Sequence, residues 1–431
     1  MSLLQRAVHA LNKPTLKRVG GWVAATQLTA ILALLNMVLI IRAVGIAGYG
    51  NIVLVQTYVF LCISLTNAAS WHAIIKFTHF AIQPQLSGQV IQWCKILDMR
   101  TSAIGIILVL LGLGAIHQLD IWSFELLSAT ALYALLLPLQ HLANTPLGIL
   151  RALNRFDILS WHRTITAIFL TIAISYLVWI SVDWQTLLLC YGIVRAIEFL
   201  SLICLGYYHL AQKKLPQSPA AMVPDAAQKE SWWRYIRTSA SQNMLHNIVQ
   251  FGDVFVISVF LGTQQVGAFK IIKNLASVIY SVQTPLKEFL YPLLTKTRKD
   301  APQKLATLMR LLLVAHGAIA LILGIGLAVF APTVLAIITN NAPSEGYQSM
   351  IVYLSGTLLS LALLPTHAYI LSSNYPQCIM RALGIATALY GISLAVLIPV
   401  LQTFGAALAY LCYQLIYFCF LGLLWRNHTH Q

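Results

Sequence analysis

The sequence predicts an all-α integral membrane protein of twelve transmembrane helices, in two six-helix lobes related by a pseudo-twofold axis along the membrane normal. Three observations predict this fold: a charge-poor composition, twelve apolar stretches, and features that recur at a fixed offset. Of the 431 residues, 59% are hydrophobic and 9% are charged, and the mean hydropathy is +0.77. A soluble domain has about 25% charged residues. The composition therefore excludes an ordinary soluble enzyme, a secreted disulfide scaffold and a disordered chain.

Each span meets the requirement that a membrane-crossing helix has about 20 mostly apolar residues. The last apolar region, residues 382–425, contains 44 residues and no charge, which is too long for one span. Pro399 and Gly405 supply a break within it, so it is counted as spans 11 and 12. The first ten spans are predicted, in order, at residues 19–41, 48–69, 101–119, 126–150, 164–182, 184–208, 239–261, 267–291, 311–338 and 347–371.

The distribution of Lys and Arg sets the orientation. If the N-terminus is cytoplasmic, 23 of the 27 basic residues fall in inside segments. This asymmetry predicts a multi-pass protein with both termini in the cytoplasm. The same residues account for most of the net charge of +15, as anchors to anionic membrane lipids. A nucleic-acid partner is therefore not predicted.

An internal repeat supports the two lobes. Gly48 and Gly267 are 219 residues apart, as are Pro146 and Pro365, and Phe156 and Tyr375. The proline-containing stretch 210–236 lies between the halves. We therefore predict an N-terminal lobe over residues 1–209, a cytoplasmic linker over 210–236 and a C-terminal lobe over 237–431. Parallel repeats of this kind are found in transporters whose substrate site lies between the lobes.

Four basic residues lie outside the inside segments: Arg42, Arg195, Lys270 and Lys273. Charges at membrane depth are costly and usually face a cavity or a partner. They are therefore candidates for binding an anionic substrate. Each also has a structural interpretation: Arg42 as a headgroup anchor or helix cap, Arg195 as the partner of Glu198, and the two lysines as side chains that extend to the headgroups.

Span 7 carries the most polar helix face. His246, Gln250 and Asp253 are spaced four and three residues apart, so they form one stripe. Such a stripe either joins helices by hydrogen bonds or lines a hydrated path. We predict Asp253, His246 and Glu198 as candidate ion-coupling residues, with H⁺ or Na⁺ as the coupling ion.

Motifs for catalysis and cofactors are absent from the sequence. It has no GxxxxGK[ST] loop for ATP, no HExxH, no GxSxG and no CxxC pair among its seven cysteines. We therefore predict no catalytic residues, no metal site and no cofactor, and a protein that is not an enzyme.

Several short motifs resemble those of a known family. Residues 41–50 read IRAVGIAGYG, which resembles the R-x-x-G-x-x-x-Y-G signature of Wzx-type polysaccharide flippases, in the multidrug/oligosaccharidyl-lipid/polysaccharide exporter superfamily. Asp253 followed by residues 260–269 is similar to a second segment of this family. Residues 148–156 are similar to the family's sequence at the inner end of span 4. Residues 415–426 are similar to the end of the enterobacterial common antigen flippase branch.

This resemblance implies a flippase in the bacterial inner membrane that carries undecaprenyl-pyrophosphate-linked oligosaccharide, as in O-antigen and lipopolysaccharide biosynthesis. It also implies a polysaccharide polymerase and a chain-length regulator as possible partners. Two alternatives stay open: a cation-coupled drug antiporter of the same superfamily, and a membrane enzyme of polysaccharide assembly. Cations at membrane depth argue against the antiporter, and the lack of a long outside loop or catalytic cluster argues against the enzyme.

Overall fold

The computed structural model of the protein describes residues 13–78, 84–213, 226–339, 346–372 and 377–429. Within these ranges the regular structure is entirely α-helical. The helices are α1 Lys13–Thr66, α2 Ser70–Phe77, α3 Pro84–Gln118, α4 Phe124–Tyr133, α5 Leu136–Leu142, α6 Asn144–Ala152, α7 Phe156–Trp179, α8 Trp184–Ala211, α9 Ala226–Leu261, α10 Thr263–Asp300, α11 Pro302–Thr339, α12 Tyr347–Ala362, α13 Leu364–Leu371 and α14 Gln377–Thr429.

The described helices account for all twelve predicted spans. By length and composition, eight stretches are able to cross a membrane, or nine if the bent pair α12 and α13 forms one span. Two of these stretches have 43 and 46 residues, about twice the length of one span, and each contains a non-helical residue. They therefore hold two spans each. The twelfth span lies in α10, which is too polar to belong to this apolar set.

The connections between spans 1 and 2 and between spans 7 and 8 each depend on a single glycine. Gly45 has φ 73° and ψ 175°, and Gly262 has φ 80° and ψ −179°. A residue with a Cβ is strained at such angles, whereas glycine adopts them readily. One residue is therefore enough to end one helix and start the next. These equivalent turns lie 217 residues apart, so the offset here differs by two from the 219 of the prolines.

The connection between spans 11 and 12 is also a turn at a single residue with positive φ, but that residue is a glutamine and not a glycine. Gln402 has φ 53° and ψ −134° inside α14, and its side chain is exposed. We expect Gln402→Gly to raise stability by about 1 kcal/mol, because it relieves backbone strain and removes no buried contact. The thermal unfolding midpoint of the purified variant tests this. Gln402→Ala is the matched control, since it keeps the strain, and equal midpoints for both variants would contradict the prediction.

Spans 4 and 10 are broken rather than continuous, which corrects the expectation of a single helix over residues 126–150. Span 4 consists of α4, α5 and α6, and span 10 consists of α12 and α13 bent by 43°. Proline lacks a backbone N–H and cannot complete the helical hydrogen-bond ladder. Pro138, Pro146 and Pro365 each stand within the first three residues of the helix after a break. The prolines therefore explain where these helices are interrupted.

Part of the predicted linker is helical and packed. Helix α9 begins at Ala226, within the stretch 210–236, while residues 214–225 lie outside the described part of the chain. Trp232 and Ile236 on α9 are each 3% exposed and belong to a core with Ile74 and Ile149. This extension of span 7 is thus held by apolar burial.

By their contacts, the described residues form two compact units. One unit comprises Met1–Gly50 and Val256–Gln431, and the other comprises Asn51–Phe255. We call them the split unit and the central unit. This grouping by contacts divides α1 and α9 internally, whereas the repeat in the sequence divides the chain at the linker. The lobe boundaries at 209 and 237 therefore stay a prediction.

Candidate functional site

In the central unit, Arg195 and Glu198 form an ion pair on α8. Their side chains are 39% and 15% exposed, so the arginine keeps accessible surface although its charge is paired. Arg195 also lies close enough to Tyr133 and Tyr191 to act on them electrostatically. The predicted pairing is confirmed, and the side chain of Arg195 keeps some accessible surface.

The accessible side of Arg195 does not face lipid. Ile193 and Ile197 are about half exposed and lie on the apolar outer face of α8. Arg195 is two residues from both, which places it about 200° away around the helix. On the Arg195 side of the helix, Gly192 lies against the ring of the buried Tyr133. The arginine therefore belongs to the inward face of its helix.

The two predicted lysines lie one turn apart on α10, in the split unit. Lys273 is 9% exposed and Lys270 is partly buried. A side chain that is nine-tenths buried does not extend to the headgroups, so this interpretation fails for Lys273. Next to it, Asn274 donates a hydrogen bond to the Tyr49 hydroxyl at 2.9 Å. The start of α10 thus combines a buried cation with polar neighbours.

Arg42 is exposed in the split unit, three residues before the turn at Gly45. Its position at the end of span 1 agrees with the predicted outer boundary of that span. Its exposure fits an anchor at the headgroups as well as a contact with a substrate.

The polar stripe of α9 is graded from accessible to buried. His246 and Gln250 are exposed, whereas Asp253 is fully buried and accepts a hydrogen bond from the Val254 amide at 2.7 Å. Met244, which is 36% exposed, lies about 200° around the helix from His246. Met244 and His246 are therefore accessible on different sides of α9.

The structure also contains a buried polar cluster that the sequence did not predict. Asp98 on α3 is 1% exposed and accepts hydrogen bonds from the Ser70 hydroxyl at 2.9 Å, the Thr145 hydroxyl at 2.6 Å and the Thr145 amide at 3.2 Å. Nearby, Asn144 donates to the Asn67 side chain at 3.1 Å. We call these five residues the Asp98 cluster. It lies between the end of α1 and the start of α2, and at the start of α6 in the broken span 4.

Sequence reasoning missed this cluster because Asp98 lies between Lys95 and Arg100, before span 3, where it resembles a loop residue. The available signal was Pro146, since a proline in a span predicts a break whose freed backbone groups need polar partners. Among the described residues, no group of three His, Cys, Asp or Glu side chains is placed to hold a metal ion.

The fold is similar to that of solved transporters of the MOP superfamily. The structure is similar to an inward-facing multidrug resistance MATE family transporter, with a TM-score of 0.74, 12% identity and coverage of 93% of this chain and 94% of that one. It is also similar to the lipid II flippase MurJ, with a TM-score of 0.70, 14% identity and coverage of 94% and 87%. At this identity the likeness defines the fold alone. It confirms the predicted all-helical fold of twelve spans in two lobes.

The chain belongs to the polysaccharide biosynthesis protein family, whose model it matches over residues 16–298. The inner membrane protein YghQ of Escherichia coli (strain K12) is 30% identical over 172 residues, or 38% of this chain and 47% of that protein. The match thus spans about half of that relative's length. The resemblance seen in the sequence motifs is confirmed, and the chain is a multi-pass membrane protein. Both solved structures are of a transporter or flippase, in agreement with the prediction that the chain is not an enzyme.

Proposed function

We propose that the protein is a flippase that moves undecaprenyl-pyrophosphate-linked oligosaccharide from the inner to the outer leaflet of the bacterial inner membrane. The observation that carries the proposal is the buried Lys273 in a polysaccharide biosynthesis protein with a transporter fold. Charged side chains at membrane depth are rare and mark substrate and ion pathways. We assign Arg42, Arg195, Lys270 and Lys273 to binding of the substrate headgroup.

The chemistry of the substrate fits these residues. A pyrophosphate carries several negative charges and crosses the bilayer only where cations and water replace its hydration shell. Lysine binds phosphate as a point charge, and arginine can donate two parallel hydrogen bonds. The four cations therefore supply what the headgroup needs, while the sugar requires only uncharged polar contacts.

The energy source follows from the absence of an ATP-binding loop in the sequence. We propose alternating access of the two lobes, coupled to an H⁺ or Na⁺ gradient. The termini are proposed to lie in the cytoplasm, as the distribution of Lys and Arg predicts. O-antigen assembly with a polymerase and a chain-length regulator is the proposed context.

Reconstitution in vesicles tests the function. The probe is a fluorescent undecaprenyl-pyrophosphate-linked oligosaccharide, and the readout is its exposure to a membrane-impermeant reagent that modifies the sugar. We expect exposure to depend on the protein. The matched control is the same glycan on neutral undecaprenol, which should stay in its original leaflet. Equal movement of both lipids would contradict recognition of pyrophosphate.

A drug antiporter is the second candidate, because a multidrug resistance transporter is among the similar structures. The same vesicles, loaded with a cationic dye and given a proton or sodium gradient, decide between the two. Dye movement without lipid movement would favour the antiporter. The proposed flippase requires the opposite result.

Asp253 is proposed to couple transport to the ion gradient, together with His246 and Glu198. We expect Asp253→Asn to remove the dependence of lipid translocation on the gradient, because the amide cannot exchange a cation. Translocation is measured in vesicles over a range of internal and external pH. Glu230→Gln is the control, since Glu230 forms an exposed pair with Arg234. Unchanged coupling in Asp253→Asn would assign Asp253 a structural role.

A further inference from the structure

The Asp98 cluster lies where α2, α3 and α6 meet in the central unit. Its donors come from the first residue of α2, Ser70, and the second residue of α6, Thr145. Helix N-termini carry unpaired N–H groups and a partial positive charge. Two of them therefore meet at one carboxylate, which is the arrangement that favours the charged form.

One oxygen of the Asp98 carboxylate accepts no hydrogen bond from the described residues. All three donors reach Oδ2 of Asp98, while Oδ1 is buried without a hydrogen-bond partner. In the described part of the chain, no ion pair includes Asp98. A buried carboxylate with an empty oxygen and no counter-cation is costly unless a proton can neutralise it.

The surrounding titratable groups do not supply that neutralisation. Cys94 on α3 and Tyr207 on α8 interact electrostatically with Asp98, and α9 contributes the uncharged Trp232. On α2 and α6 the nearest such groups are His72 and Arg151. The guanidinium of Arg151 lies 4.1 Å from the Trp71 ring centre, over its face. Burial, and next the charge of Arg151, lower the pKa of His72 to about 4, so this imidazole stays neutral near neutral pH.

A helix break of this kind does not require an acidic residue such as Asp98. The residues that correspond to Asn144 and Thr145, counted from Pro146 and Pro365, are Leu363 and Leu364, and Leu364 is 2% exposed. The stretch of α11 that corresponds to Asp98 contains His316, which bonds to the Leu312 carbonyl of its own helix at 2.8 Å. The break in span 10 therefore forms with apolar residues at the positions that Asn144 and Thr145 occupy in span 4.

We infer that Asp98 is a proton-binding site whose charge state latches the half-helices α2 and α6 to α3. With the carboxylate charged, three charge-assisted hydrogen bonds hold the latch closed. Protonation at Oδ1 leaves neutral, weaker bonds, and both half-helices are released. Because Asp98 is 1% exposed, a proton reaches it only when a half-helix moves, so protonation and movement are linked. The site would serve the coupling of the proposed transport.

Hydrogen–deuterium exchange on the purified full-length protein in lipid nanodiscs tests the latch without any substrate. After correction for the intrinsic rate, we expect amides of Ser70–Phe77 and Asn144–Ala152 to exchange about tenfold faster near pH 5 than near pH 8, since one such bond is worth about 1.5–3 kcal/mol. Asp98→Asn should exchange fast at both pH values. Slow exchange in Asp98→Asn, or no effect of pH on the wild type, would overturn the inference.

Two further variants keep the test decisive if Asp98→Asn does not fold. Ser70→Ala removes one donor to the charged form, so opening should begin at higher pH than in the wild type, and an unchanged midpoint would refute the latch. In Asp183→Asn the response should match the wild type. Asp183 caps α8 outside the membrane, and hydrogen bonds from the Thr186 hydroxyl and amide lower the pKa of its carboxyl, which is charged throughout this range. If amide exchange changed with Na⁺ concentration at fixed pH, the ion that binds at Asp98 would be sodium and not a proton.

Because this readout needs no lipid-linked sugar, the latch and the proposed flippase can fail separately. A pH-dependent latch in a protein that does not move the oligosaccharide would refute only the function. Translocation with a pH-independent latch would refute only the proton site.

Discussion

Replacing Arg195, Lys270 and Lys273 together with glutamine should strongly slow translocation of the pyrophosphate-linked oligosaccharide. Hydrogen bonds to charged groups contribute about 1.5–3 kcal/mol each, so losing even two of them should slow transport by about 100-fold or more. Rates are measured with the fluorescent lipid in vesicles. Surface polysaccharide in cells is the second readout.

Arg195 needs a separate design, because its substitution alone leaves Glu198 buried without its partner. Removing one member of a buried pair is destabilising for reasons unrelated to substrate. The double variant Arg195→Gln with Glu198→Gln restores electrical balance. If Arg195 only neutralises Glu198, the double variant should bind the pyrophosphate-linked lipid as tightly as the wild type. If Arg195 binds the headgroup, stability recovers and binding of the lipid does not.

The lysines allow a charge-conserving comparison. Lys273→Arg keeps the cation and should retain part of the activity, whereas Lys273→Gln should not. Arg234→Gln is the control for net charge, since Arg234 is 79% exposed in its pair with Glu230. Normal surface polysaccharide in the triple variant would show that the cations do not form the headgroup site.

The number and order of the spans could be predicted from the sequence because they depend on apolar length alone. The ion pair of Arg195 and Glu198 was equally predictable, since both residues lie on one helical face and need no tertiary information. The membrane-depth cations were found by elimination once topology had explained the others.

The Asp98 cluster could not be found in this way. Asp98, Ser70 and Thr145 come from three helices, and only packing shows that they meet. The buried state of Lys273 likewise depends on its neighbours in the folded chain. Local patterns predict helices, whereas the pairing of polar groups at helix breaks is a property of tertiary structure.

Substituting Gly50 or Gly267 by alanine should destabilise the protein by about 2 kcal/mol, within the range for overpacking a close contact. A Cβ at Gly50 would overlap the backbone carbonyl oxygen of Thr263, and a Cβ at Gly267 would overlap that of Ile46. Both obstacles are main-chain atoms, which cannot rotate away. The start of span 2 and the start of span 8 must therefore separate to admit either methyl group.

Each of these glycines lies against the main chain of the segment that contains the other. Gly50 and Gly267 each follow a positive-φ glycine, Gly45 or Gly262, by five residues. Because one separation of the two segments accommodates both methyl groups, the double variant should lose clearly less stability than the sum of the single variants. Independent sites would instead add.

Unfolding of the purified variants in micelles, followed by circular dichroism, measures these differences. Gly391→Ala is the matched control, because a Cβ at Gly391 meets no atom within 4 Å. Its stability should equal or slightly exceed that of the wild type, as alanine favours helix. If Gly267→Ala were as stable as Gly391→Ala, the close crossing of α1 and α10 would be wrong. An additive double variant would mean that the two glycines relieve different contacts.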